Sequence, residues 1–119
     1  MKDFRKLLVW QKAHQLTLEV YKAVTSFPTE ELFGLTSQMK RSSSSISTNI
    51  AEGCGRRSEK DFARFLVISF GSASELEYQI ILGTDLNFIE IDKNEKLLAQ
   101  VQEIKKMLSS LIYKLNPPH

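Results

Sequence analysis

The chain has 119 residues, 42% of them hydrophobic and 25% charged, the make-up of one globular domain rather than of a disordered segment. Five glycines and three prolines are too few for the many turns of an all-β fold, and a single cysteine, Cys54, excludes an internal disulfide. Lys and Arg total 16 against 14 Asp and Glu, a net charge of +2, so the placement of charge and not its sum must decide any affinity for polyanions.

Four segments show helical periodicity and none shows sustained strand alternation. The first helix is expected from about Leu7 to Thr25, with Val9, Ala13, Leu16, Val20, Val24 and Phe27 on one face. Phe27-Pro28 ends it, because the residue before proline is pushed out of helical geometry. Thr29-Glu30-Glu31 suits a fresh start, with carboxylates near the positive end of the next helix dipole. The second helix runs from Leu32 or Leu35 to Glu52 on a stripe of Leu35, Met39, Ser43, Ile46 and Ile50 that leads to Gly53. Serines 42–45 are poor helix formers, but their small size allows close packing between facing helices. Gly53 and Gly55 are expected to stop this helix in the left-handed conformation that glycine adopts readily.

Ser58 is the expected N-cap of the third helix, with Glu59 and Asp61 in its first turn. Its core stripe, Phe62, Leu66, Ser69, Ala73, Leu76, Ile80 and Gly83, keeps a strict heptad. A second stripe, Ala63, Val67, Phe70, Ser74 and Ile81, lies about 100° round the helix, so this helix is either central to its own bundle or, as is expected here, also faces a second subunit. Residues 87–91 connect to a fourth helix, for which Asp92 is the candidate N-cap with Glu95 completing a capping-box variant. Leu97, Val101, Ile104, Leu108, Leu111 and Leu115 form its stripe, and Asn116-Pro117-Pro118 ends it. Heptad periods joined by short loops imply an all-α, antiparallel up-down four-helix bundle occupying residues 1–119. No run of about 18 apolar residues occurs, so no membrane span is expected. The charged N-terminal stretch does not read as a signal peptide, and the expected location is cytoplasmic.

The chain offers little catalytic chemistry. Gln11 and Asn116 precede His14 and His119 by three residues, so the Glu-x-x-His pairs of di-iron bundles are missing. Phosphate-binding GxxxxGK, GxSxG and HExxH motifs are absent. Cys54 sits at a helix C-terminus, not at an N-terminus that would activate a thiol. Glu75 and Glu77, two apart, face different directions and cannot act as an acid–base pair; Glu77 is expected to pair with Lys or Arg on another helix. No enzyme activity and no cofactor are expected. The basic residues carry the functional expectation. Lys40 and Arg41 on the second helix, Arg56 and Arg57 in the turn, and Lys60 and Arg64 on the third helix form a set suited to phosphates. Glu52, Glu59 and Asp61 stand ready to pair with them instead, and Lys2, Arg5, Lys6 and Lys12 make a looser second area.

The segments FRKLLVWQKAHQL, LFGLTSQMKRSSSSISTNIAEGCGRRSEKDFARFL and SASELEYQI together resemble the four-helix-bundle family of 23S rRNA intervening-sequence proteins. Members are similar to the accessory protein of diversity-generating retroelements, a ring-shaped pentamer that binds nucleic acid and a reverse transcriptase. The resemblance implies a bacterial homo-oligomer, a pentamer, with a basic surface for RNA or DNA, and no reaction. A protein-interaction scaffold without a nucleic-acid role is the alternative.

Overall fold

The computed structural model describes residues 2–118; His119 lies outside the described residues. A short 3-10 turn, Phe4–Lys6, precedes helix α1 (Leu8–Ala23), and two more, Val24–Ser26 and Thr29–Glu31, separate α1 from α2 (Leu35–Cys54). Helices α3 (Glu59–Asp85) and α4 (Ile91–Leu115) complete the chain. Each helix packs on its sequence neighbour and α4 returns to α1, closing an antiparallel up-down bundle 44 × 23 × 22 Å. Two ion pairs between α1 and α4 report the antiparallel register: Lys12 to Glu103 at 3.1 Å and, two turns on, Glu19 to Lys96 at 3.8 Å.

The heptad stripes become the core. Every member of the α3 stripe is buried, as are the α1 and α2 stripes and Leu97, Val101, Ile104 and Leu108 of α4. Leu111 and Leu115 sit at its edge. By length and composition α3 is apolar enough to cross a bilayer, with a mean hydropathy of 1.2 in its most apolar 18-residue window. Its position between α2 and α4 buries 39% of that window in the core.

Polar seams run between the helices. Thr17 of α1 donates to the carbonyl of Ala13 and also approaches Ser43 and Ser47 of α2. Across the other face of α2, Ser42 donates to Gln79 Oε1 at 2.6 Å, Ser45 meets Ser72 at 2.9 Å, and Ser69 donates to the Ile46 carbonyl at 2.8 Å. The serine run thus packs tightly, and its buried hydroxyls are satisfied.

The helix ends follow the expectations in part. Phe27 is extended before Pro28, and Ser58 accepts the Asp61 N–H at 3.0 Å as the α3 N-cap. Glu31 Oε1 accepts the Leu35 N–H at 3.2 Å, capping α2 from the preceding turn. The glycine expectation fails. Gly53 is inside α2 and Gly55 has φ −85°, so α2 ends by tightening, with Gly55 bonded to Glu52 and Arg56 to Gly53. The left-handed residue is instead Asn87, φ 65°, after α3. There Phe88 N–H reaches the Gly83 carbonyl at 2.8 Å and Asn87 N–H the Thr84 carbonyl at 3.0 Å, a Schellman closure with asparagine. Asp92 is likewise not a cap: α4 starts two residues earlier than that cap requires, at Ile91, after an extended Glu90 that makes no side-chain cap bond.

Candidate functional site

The up-down topology brings the start of α1, the α2–α3 turn and the end of α4 to one end of the bundle. The Lys2 N–H donates to the Cys54 carbonyl at 2.9 Å, tying the N-terminal segment against that turn. Lys2 thereby joins Arg56 and Arg57 around one shallow depression, so the two basic areas of the sequence merge in space. The opposite end carries Glu30, Glu31, Asp85, Glu90 and Asp92 in and beside its loops. A net charge of +2 therefore conceals a molecule that is basic at one end and acidic at the other.

Beside the α2–α3 turn lies an open cleft of about 890 Å³. Arg56, Arg57, Lys60 and Arg64 flank it, Val67 and Ile112 supply apolar surface over buried Ala63, and Asp61 and Asn116 add polar groups. Lys60 and Arg64 are one turn apart on α3, so their side chains follow one face. Arg56 and Arg64 both lie over the ring of buried Phe65, at 4.5 and 4.7 Å from its centroid. Asp61 holds them there: Arg64 approaches it at 3.0 Å and Arg56 at 3.9 Å. Arg57 and Lys60 are exposed and make no ion pair among the described residues. Lys40 and Arg41 are not part of this group. They stand in the first third of α2, about 20 Å from its C-terminal end by helical rise, with Lys40 over the Tyr21 ring at 5.2 Å. Sequence reasoning missed Ile112 and Asn116, although an up-down topology implies that the end of α4 meets the start of α3.

The other candidates are structural. Glu77 accepts from Lys105 at 2.9 Å and Gln102 at 3.2 Å on α4, and the Lys105 bond in particular holds its carboxyl below the ordinary glutamate value. Cys54 is buried, and that burial pushes its thiol up, away from reactivity. His14 stacks on Trp10 at 5.0 Å.

The second α3 stripe divides. Ala63 is buried inside the protomer and is unavailable to another copy, and Phe70 is half-buried with Lys105 at 5.1 Å from its ring. Val67 and Ile81 are exposed, joined by Ile68 and Tyr78. The exposed apolar face of α3 is thus rotated slightly from the one expected.

Residues 5–110 match the family model described as 23S rRNA-intervening sequence protein. The chain belongs to this family. A crystal structure similar to it is that of a protein of unknown function from the S23 ribosomal protein family of Bacteroides thetaiotaomicron VPI-5482. The two share 29% identity and a TM-score of 0.80, over 88% of this chain and 98% of the other. No curated protein matches the chain. The segment matched to the 23S rRNA-intervening sequence family contains all four cleft cations, whereas Ile112 and Asn116 follow it.

Proposed function

We propose that this chain is a non-catalytic nucleic-acid-binding protein that works as a cytoplasmic homo-oligomer and holds the backbone of RNA or DNA at its basic end. The observation that carries this reading is the convergence of Arg56, Arg57, Lys60 and Arg64 on one cleft, with Lys2 beside it. Lysine and arginine placed this way displace condensed counterions from phosphates without selecting bases. Lys40 and Arg41 extend the contact along α2 for a ligand long enough to reach them. The family description names an rRNA insertion, so a structured RNA is the natural first probe. The likeness to ring-forming pentamers makes five the subunit number to test.

The experiment is titration of a short structured RNA and a DNA duplex against the wild type and an Arg57→Glu/Lys60→Glu variant, across a salt series. These two side chains are preferred over Arg56 because they take no part in packing Phe65. The wild type should bind at low salt and weaken steeply as salt rises, and the variant should lose affinity about tenfold or more. Unchanged affinity in the variant would defeat this reading.

A second reading, a protein-interaction scaffold, draws on apolar exposure: Phe33 is 93% exposed, and α3 shows Val67, Ile68, Tyr78 and Ile81. It is favoured if the chain ignores RNA at low salt yet keeps a protein partner at high salt.

A further inference from the structure

We infer that the cleft beside the α2–α3 turn accepts an unpaired nucleotide, so that the protein prefers single-stranded nucleic acid to duplex. The inference rests on the nucleic-acid reading above and adds what that reading leaves open, the form of strand bound.

A duplex hides its bases and shows a protein mainly phosphates and groove edges, which a flat basic surface is sufficient to hold. This end of the molecule carries an open cleft. The basic side chains flank this cleft of about 890 Å³, whose exposed apolar surface comes from Val67 and Ile112, with Ala63 buried beneath them. That volume lies in the range of pockets for small organic ligands and has room for a base with its sugar. Arg57 and Lys60, exposed at the rim, are placed for phosphates. Arg56 and Arg64 have a different character, being held over Phe65 by Asp61. A guanidinium kept against an aromatic ring is a planar cation on which a base can stack. Asp61 separates the remaining alternatives. Its carboxylate, paired with Arg56 and Arg64, makes the inner cleft less positive than the rim and keeps acceptor capacity for a hydrogen bond from the exocyclic amine of a cytosine or adenine. Asn116 offers a donor and an acceptor to the same kind of edge. Phosphates outside and a base inside satisfy each of these groups.

The test is fluorescence anisotropy of the full chain with three labelled probes at low salt: a short mixed-sequence single strand, the same strand in a duplex, and the same strand with abasic central positions. Unlabelled polyglutamate serves as a competitor. The single strand should bind about tenfold or more tightly than the duplex, and loss of the central bases should cost a similar factor, as stacked bases do elsewhere. Polyglutamate should compete poorly. Equal binding of duplex and single strand, or of the intact and abasic strands, overturns the inference while leaving backbone binding in place. Strong competition by polyglutamate also overturns it, in favour of an acidic peptide. If no probe binds at all, the nucleic-acid reading itself falls, and this inference with it.

Discussion

Gly53 shows how one residue sets the geometry of the basic end. It was legible as a helix stop, but a left-handed glycine is not what this position needs. A Cβ built there would lie 2.8 Å from Phe62 Cδ1, closer than real side chains approach, and a tight 3.0 Å from Phe65 Cβ. The absent side chain lets the end of α2 rest against the start of α3, which seats Phe65 beneath the two arginines. Gly53→Ala should therefore destabilise the fold by about 1–3 kcal/mol, the usual cost of overpacking a filled core. Chemical denaturation checks this, and Gly55→Ala is the control, because the nearest atom to its added Cβ is the Glu52 carbonyl oxygen at 3.4 Å. Equal losses at both positions would contradict the close-approach account.

At the scale of elements, the helices were legible because each needs one apolar face, and heptad spacing reports that face directly. The serine seams were legible from residue size alone. The ends were harder to read. Asn87 and not a glycine takes the left-handed position after α3, since its short polar side chain tolerates that conformation. Asp92 and Glu95 matched a capping pattern that the helix starts two residues too early to use. The cleft was legible only on its α2–α3 side, because its α4 wall depends on which helix ends adjoin in space. The Glu77–Lys105 pair was legible as a need for a partner, and its contribution has a predictable pH dependence. Glu77 titrates lower in the folded chain than its ordinary value of 4.5, so the ion pair stabilises the fold above that pH. As the pH falls below 4.5 the unfolded chain takes up the proton first, and the contribution is lost as the folded carboxyl follows. Both side chains keep about a fifth of their surface in solvent, 21% for Glu77 and 24% for Lys105. Glu77→Gln should accordingly cost only about 0.5–1 kcal/mol near neutral pH. In acid strong enough to protonate the folded carboxyl as well, that cost should vanish. Urea titrations at the two pH values measure it, and a constant difference would remove the ion pair as its source.

At the scale of the molecule, charge and apolar surface are segregated. The basic cleft occupies one end, the acidic loops the other, and α3 shows an apolar face along the side. Val67, Gly71, Ser74, Tyr78 and Ile81 follow one another at heptad steps on α3, and no atom would meet a Cβ added at Gly71. Large residues at both ends of this line with small ones between them suit a second helix laid alongside. Side-by-side assembly centred on the Gly71 to Ile81 part of α3 would leave the bundle ends exposed, and subunits sharing one orientation would gather their basic ends on one rim, strengthening the field for a polyanion. The test is Tyr78→Glu/Ile81→Glu. Both positions are exposed in the protomer, at 61% and 42%, so the variant should keep its helices and most of its stability. Phe70→Glu is the poorer probe, because Phe70 is half-buried and its loss would damage the bundle as well as any interface. Light scattering should give a mass of several subunits for the wild type and of one for the variant, with unchanged circular dichroism. A wild type that is monomeric at micromolar concentration removes the assembly argument. A variant that stays assembled moves the contact elsewhere, and the acidic end with its exposed Phe33 becomes the surface to mutate next.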